Sequence, residues 1–125
     1  MNDAIFEITK AATFDAAHKL PAGGPPGSPY TRVHGHSFRV EATLRGAARA
    51  PVGWVDDLAA LDAALKAAAG ELDHSMLNDH PGLESPTLEA ICLYFAALLR
   101  PEFDGLCRIV VSRPTVGESC SMAVA

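Results

Sequence analysis

The stretch Arg32-Val33-His34-Gly35-His36-Ser37-Phe38-Arg39-Val40-Glu41-Ala42-Thr43-Leu44 decides the fold. From His34 onward its apolar side chains fall two residues apart and polar side chains take the alternate positions, which is typical of a half-buried strand. His34 and His36 share the apolar parity and therefore open the inward face. Residues two apart on a strand lie about 6.6 to 6.8 Å apart, so two imidazoles at this spacing can converge on one ion. The pair is a candidate metal site.

Length and composition limit the class of protein. The chain has 125 residues, 49% of them hydrophobic, and a net charge of -5. These values predict a single globular domain over residues 1–125. The acidic balance argues against nucleic-acid binding, and no apolar stretch approaches the roughly 20 residues of a membrane span. The N-terminal residues do not resemble a signal peptide, so we expect a cytoplasmic protein.

A third histidine follows another predicted strand. Residues 4 to 17 alternate between apolar and polar, and His18 continues the parity of Phe14 and Ala16. The next loop is dense in Gly and Pro and returns the chain to the HGH strand, so antiparallel pairing is the simplest arrangement. That pairing brings His18 beside His34 and His36. Zinc suits three imidazoles, although His18 taken alone is also consistent with a core histidine.

The remaining pattern predicts two helices and two strands. Apolar residues at helical spacing predict a helix over about 57–70, capped by Asp56 or Asp57, with a stripe formed by Leu58, Leu61, Leu65, Ala68 and Leu72. A second helix has Ser85 as N-cap and Pro86 at its first position, ends near Arg100, and is expected to bury Leu88, Ile91, Phe95, Leu98 and Leu99. Strands are predicted over 106–113 and 118–124. The order ββααββ predicts an α+β fold in which two helices cover one face of a four-stranded antiparallel sheet.

A second chemical motif lies between the helices. Asp73 precedes His74 in the stretch Leu72-Asp73-His74-Ser75-Met76-Leu77-Asn78. A carboxylate beside an imidazole raises its basicity and fixes its tautomer, so the pair is a candidate acid or base. Such pairs also occur on solvated turns, and these residues alone leave that alternative open. His80, followed by Pro81 and Gly82, is expected to be a turn residue.

The cysteines give no framework of their own. Cys92, Cys107 and Cys120 are odd in number and share no CxxC spacing. Reduced thiols are therefore expected rather than disulfides or a Cys-based zinc site. Cys92 lies next to the apolar stripe of the second helix, where packing is the expected role.

Five stretches together resemble the 6-pyruvoyl-tetrahydropterin synthase family, and more closely its bacterial branch, the 6-carboxy-tetrahydropterin synthases of the queuosine pathway. They are Phe14-Asp15-Ala16-Ala17-His18-Lys19-Leu20, Val33-His34-Gly35-His36-Ser37-Phe38, Gly53-Trp54-Val55-Asp56-Asp57-Leu58, Leu72-Asp73-His74-Ser75-Met76-Leu77-Asn78 and Ser85-Pro86-Thr87-Leu88-Glu89. The resemblance covers nearly the whole chain. It implies the tunnelling fold, in which protomers join their sheets into a barrel and stack as homo-oligomers, commonly hexamers.

The resemblance also implies the chemistry. The resemblance to the bacterial branch implies conversion of 7,8-dihydroneopterin triphosphate to 6-carboxy-tetrahydropterin, acetaldehyde and triphosphate, with zinc acting as a Lewis acid on the hydroxylated side chain. Asp73 and His74 would transfer protons from the side opposite the zinc. Thr87 would line the pterin pocket, and Lys19 is a candidate substrate-binding residue. The implied Zn²⁺ ligands are His18, His34 and His36.

Two positions depart from the family pattern. The usual catalytic Cys stands four residues before the first His of HGH, where this chain has Tyr30. Tyr30 is therefore the candidate catalytic residue at this position, but it could act only with a strongly lowered pKa beside the metal, since a phenol releases its proton less readily than a thiol. A Glu after the third strand usually binds the pterin edge. An ungapped alignment puts Arg113 there, whereas a lengthened turn puts Glu118 there, and we favour the second. The gapped alignment also moves Cys120 towards the pocket, as a substitute thiol or as a packed side chain.

These departures leave two alternatives to the implied reaction. One is a zinc-binding paralogue that acts on a different pterin. The other is a catalytically silent pterin-binding subunit.

Overall fold

The computed structural model describes residues 3–125 and confirms the predicted fold class. The elements are β1 Ile5–His18, β2 His34–Ala47, α1 Leu58–Leu72, α2 Leu88–Leu99, β3 Leu106–Arg113 and β4 Glu118–Ala123. The four strands form one antiparallel sheet in the order β1-β2-β3-β4. The helix α1 packs on β1, and α2 packs on β3 and β4. The core is one cluster of side chains from both helices and the inward-facing strand positions.

The β1–β2 pair determines where the histidines lie. Both strands have 14 residues, and their antiparallel register sets His18 opposite His34 and Phe14 opposite Phe38. The two phenylalanine rings stack with their centroids 5.0 Å apart, and both side chains are almost fully buried. Because side chains two apart share a face, the histidines continue the apolar column beyond these rings. This is the predicted pairing.

The first helix begins where an aspartate caps it. Asp57 accepts a hydrogen bond from the Ala59 amide at 2.8 Å, which decides between the two predicted caps. The helix extends two residues past the predicted end, to Leu72. Leu58 is 41% exposed because it lies in the first turn, outside the packed stripe. Its predicted core position is therefore wrong, whereas the later leucines of the stripe are buried.

The second helix begins later than predicted. Thr87, rather than Ser85, is the N-cap, because its hydroxyl oxygen accepts from the Ala90 amide at 3.1 Å. Pro86 therefore precedes the cap and is buried. Leu98 is 48% exposed since it lies at the edge of the buried arc, which corrects its predicted burial, while Cys92 is fully buried as expected.

Within residues 3–125, no helix combines the length and apolarity needed to span a bilayer.

Candidate metal centre

Three histidines meet at one end of the sheet. His18 ends β1, and His34 and His36 open β2. One ring nitrogen from each lies within 4.8 Å of those from the others. The imidazoles pack edge to face, with ring centroids 4.6 to 5.2 Å apart, beside the ring of Phe38. The structure therefore brings together the three ligands predicted from strand parity.

Backbone carbonyls fix the tautomers of two of these rings. The Nδ1 atom of His18 donates to the Pro86 carbonyl oxygen at 3.0 Å, and Nδ1 of His34 donates to the Arg32 oxygen at 2.7 Å. Each Nε2 of the neutral rings then carries a lone pair, and the two Nε2 atoms are 3.1 Å apart. Facing lone pairs repel unless a cation lies between them. Metal-bound histidines characteristically have such backbone partners.

The separation of the His18 and His34 Nε2 atoms is close to the spacing of two nitrogen ligands on one tetrahedral metal ion. A tetrahedral ion with Zn–N bonds of about 2.0 to 2.1 Å holds its ligand nitrogens about 3.3 Å apart. Burial lowers the pKa of His18 to about 4, and burial followed by the nearby Arg113 guanidinium lowers the pKa of His36. These shifts favour the neutral form of both rings, which is the form that binds metals.

The histidine cavity, a cleft of about 690 Å³, is lined by all three rings together with Tyr30, Arg113 and Glu118. Its volume suits a small-molecule ligand. Tyr30 is 54% exposed on the short 3₁₀ turn Pro29–Thr31. Its carbonyl oxygen accepts from the Leu20 amide at 2.7 Å, which holds this turn against the chain just after β1. The residue at the usual Cys position therefore lies beside the histidines.

Arg113 and Glu118 are both in this cavity. They face each other as the last residue of β3 and the first of β4, and Arg113 Nε is 3.0 Å from Glu118 Oε1. The intervening turn closes at Gly117, whose φ of 68° favours glycine. The residues named by the two alternative alignments therefore both line the cavity, where they are joined as one ion pair.

The Asp73–His74 pair lies on a loop that runs along the outer edge of β1. The His74 amide donates to the Asp15 oxygen at 2.7 Å, and the Ala17 amide donates to the Ser75 oxygen at 2.9 Å. The Asp15 amide donates to Asp73 Oδ1 at 2.8 Å. These bonds attach the loop to the residues just before His18.

Within the pair, His74 Nδ1 is 2.8 Å from Asp73 Oδ2. This contact raises the pKa of His74, while the Asp15 amide and then His74 lower the pKa of Asp73. His74 has φ of 58°, a left-handed conformation that is uncommon outside glycine and concentrates at functional sites. His74 and His36 line a second cleft of about 640 Å³. The pair and the histidine cluster thus adjoin.

Three other predicted site residues lie outside the linings of both clefts. The side chain of Lys19 is exposed in the turn after β1, and Thr87 caps α2 directly after Pro86. Cys120 stands opposite the buried Val111, where its carbonyl oxygen lies 3.6 Å from the Cys92 sulfur. This position favours packing for Cys120 over a thiol role in the site.

Sequence reasoning assigned no role to Asn78. Its Oδ1 accepts from the Lys19 amide at 3.1 Å, and its Nδ2 donates to the Lys19 oxygen at 2.8 Å. It therefore ties the residue after His18 to the loop that carries His74. His80 is a turn residue, as predicted, and its Nε2 donates to Ser75 Oγ at 2.9 Å. The sequence indicated a role for Asn78 only through its place at the end of the motif Leu72–Asn78.

Comparisons with known proteins agree with this geometry. The sequence model of the family described as 6-pyruvoyl tetrahydropterin synthase matches residues 7–124. The chain is 38% identical over 122 residues to the 6-carboxy-5,6,7,8-tetrahydropterin synthase of Synechocystis, covering 93% of this chain and 88% of that protein. A putative enzyme of the same name from Archaeoglobus fulgidus is 35% identical over 83 residues, covering 66% of each. The fold matches the Caenorhabditis elegans 6-pyruvoyl tetrahydropterin synthase with a TM-score of 0.81 at 21% identity, covering 98% and 97% of the chains.

Proposed function

Because the chain belongs to the 6-pyruvoyl tetrahydropterin synthase family, we propose that it is a zinc-dependent lyase that converts 7,8-dihydroneopterin triphosphate to 6-carboxy-tetrahydropterin in the queuosine pathway. The observation that carries this proposal is the pair of facing Nε2 atoms of His18 and His34, 3.1 Å apart in a cleft that also holds His36. We place the activity in the cytoplasm.

In this proposal the chain supplies a prepared ligand set, His18, His34 and His36. Bound Zn²⁺ would supply Lewis acidity to the oxygens of the substrate side chain. The carbonyl oxygens of Pro86 and Arg32 hold the Nδ1 protons and keep two rings aimed at one point. Packing against Phe38 excludes water from one side of the ring of His36.

We assign proton transfer to His74 and Asp73. Neutral His74 carries its proton on Nδ1, facing Asp73 Oδ2, so its Nε2 is free to accept a proton from the substrate. The Asp73 carboxylate stabilises the imidazolium that then forms, which is why the pKa of His74 is raised. The opening that His74 shares with His36 gives this proton a short path to a substrate beside the histidines.

Other residues would orient the substrate. The Glu118 carboxylate would accept from the pterin N–H groups, and the hydroxyl hydrogen of Thr87 remains a donor, since the cap uses only its oxygen as acceptor. Lys19 is free to contact the triphosphate from its exposed turn. Tyr30 would contact the substrate at the mouth of the histidine cavity.

The direct test is turnover. Zinc-loaded protein is incubated with 7,8-dihydroneopterin triphosphate, and 6-carboxy-tetrahydropterin and acetaldehyde are quantified. We expect both products from the wild type and neither from His74→Ala. His80→Gln should retain turnover, because Gln keeps a donor for Ser75 Oγ. A folded, zinc-loaded protein without turnover would contradict the proposal.

The tyrosine at the usual Cys position favours one second candidate, a different reaction on a related dihydropterin. The exposed phenol of Tyr30 replaces a thiol beside the histidines. A screen of dihydropterins that differ in the C6 side chain would separate the two candidates. Turnover of another dihydropterin, but not of the triphosphate, would select the second one.

We also propose a homo-oligomer, expected to be a hexamer. β1 and β4 are the edge strands of the sheet, and edge strands are ready to pair with another chain. Joining the β4 edge of one copy to the β1 edge of the next, in the part of β1 that precedes the contacts of Asp15 and Ala17 with the His74 loop, would continue the sheet into a barrel. Light scattering measures the mass directly, and a monomer at micromolar concentration would contradict this arrangement.

A further inference from the structure

Arg113 is the more buried member of the ion pair in the histidine cavity. Its side chain is 17% exposed, compared with 51% for Glu118. Although Nε is 3.0 Å from the carboxylate, it is buried and has no aligned hydrogen-bond acceptor among the residues that the structure describes. Buried polar groups are normally hydrogen-bonded. The guanidinium also carries two terminal NH2 groups, and because the Arg113 side chain lines the cleft, a ligand oxygen there can accept a hydrogen bond from it.

We propose that Arg113 and Glu118 together recognise the pyrimidine edge of the pterin, with Arg113 donating to the 4-oxo group. This inference rests on the proposed function and adds a specificity-determining residue to it. Along that edge a pterin presents two neighbouring N–H donors, on the 2-amino group and N3, followed by the carbonyl oxygen at C4. A carboxylate only accepts hydrogen bonds and a guanidinium only donates them. The pair therefore offers the complementary order of acceptor, acceptor and donor.

The strand register holds this order in place. Arg113 and Glu118 are directly opposed at the β3–β4 turn, so neither side chain depends on a loop for its position. Because the pair is neutral as a unit, it selects a hydrogen-bonding pattern rather than a charge. Charge-assisted bonds of this kind are about twice as strong as neutral ones, which makes a mismatched edge costly.

The test compares two fluorescent probes that differ at position 4, 6-hydroxymethylpterin and 2,4-diamino-6-hydroxymethylpteridine. The diamino compound has a donor where the pterin has its carbonyl, and its N3 carries a lone pair where the pterin has N3–H. Fluorescence titration of the purified protein should show tighter binding of the pterin. Arg113→Met should weaken pterin binding about ten-fold, the scale of one lost charge-assisted hydrogen bond, and leave the affinity for the diamino compound nearly unchanged. Discrimination between the probes would then shrink by the same factor without vanishing, because Glu118 still faces N3–H in the pterin and a lone pair at N3 in the diamino compound.

Three further variants make the outcome decisive. Arg113→Lys should restore part of the discrimination because it keeps a cationic donor, and it replaces the Met variant if that protein does not fold. Glu118→Gln should weaken binding of the pterin by removing one acceptor. The control is Arg45→Met. Arg45 is an exposed arginine on β2 that pairs with Glu7 on β1, and its removal should change the affinity for neither probe.

Two results would overturn the inference while the proposed function stands. The first is that both Arg113 variants discriminate between the pterin and the diamino compound as strongly as the wild type does. The second is that the Arg113 variants lose the same amount of affinity for both probes. If the wild type binds neither probe, the pterin pocket itself is absent, and the proposed function fails together with the inference.

Discussion

The histidine cluster and the Asp73–His74 pair meet at the same end of β1, but they are held in different ways. The cluster belongs to strands, and His18 is 1% exposed. The pair belongs to a loop, and the side chain of His74 is 82% exposed. Strand pairing and core packing fix the cluster, whereas hydrogen bonds to the β1 edge fix the pair.

The pKa values of the histidines differ accordingly. Burial favours the neutral ring and lowers the pKa of His18 to about 4, while the Asp73 carboxylate favours the charged ring and raises the pKa of His74. A metal ligand needs a free lone pair, and a proton carrier needs to gain and lose a proton near neutral pH. The same side chain is thus suited to two roles by its surroundings.

Removing the core support of the cluster should have the largest effect on stability. Phe38 is 1% exposed, stacks on Phe14, and contacts the rings of His18 and His36. Phe38→Ala should lower the free energy of unfolding by about 3 to 5 kcal/mol, measured by urea denaturation. Leu93→Ala, at a position 62% exposed on α2, should cost less than about 0.5 kcal/mol. Equal costs would show that the buried ring of Phe38 does not stabilise the fold more than an exposed side chain does.

Metal binding and proton transfer should be separable by mutation. His34→Ala removes a ligand and should weaken zinc binding by at least about 100-fold, measured by competition with a chromogenic chelator. His74→Ala should leave the zinc affinity unchanged, because no described contact joins His74 to the cluster. A loss of zinc affinity in the second variant would mean that the two regions form a single site.

The hydrogen bonds of Asn78, which connect the two regions, should contribute less to the free energy of unfolding than Phe38 does. Asn78→Ala removes both hydrogen bonds to the backbone of Lys19, and we expect a loss of about 1 kcal/mol in the free energy of unfolding. The amide protons of Lys19 and Ala17 should exchange faster with solvent. Asn78→Asp keeps the acceptor for the Lys19 amide and should therefore lose less free energy of unfolding than Asn78→Ala. Unchanged exchange rates in Asn78→Ala would show that the loop is attached without this side chain.

The sequence predicted the two regions unequally, for a physical reason. Strand parity is a local pattern, so it placed His18, His34 and His36 on one face before any contact was known. The loop is held by hydrogen bonds between residues far apart in the chain, such as Asn78 with Lys19, and no periodicity of the sequence encodes these bonds.

The N-cap of α2 was not predictable from the sequence for the same reason. Ser85 and Thr87 are both good N-caps, and the tertiary bond from His18 to the Pro86 carbonyl is consistent with a start at Leu88 rather than earlier.

The smallest expected effect is a shift in one titration. Asp73→Asn keeps an oxygen for the Asp15 amide but removes the charge beside His74, so the pKa of His74 should fall, as NMR of the ring protons would show. In the wild type the pKa of His74 lies above its ordinary value of 6.5, so the pair stabilises the fold fully below that pH. This contribution is lost as the pH rises through the folded-state pKa, and it should be absent in the variant. Asp57→Asn, at the cap of α1, should leave the titration of His74 unchanged. An unshifted pKa in Asp73→Asn would mean that solvent, rather than Asp73, sets the basicity of this ring.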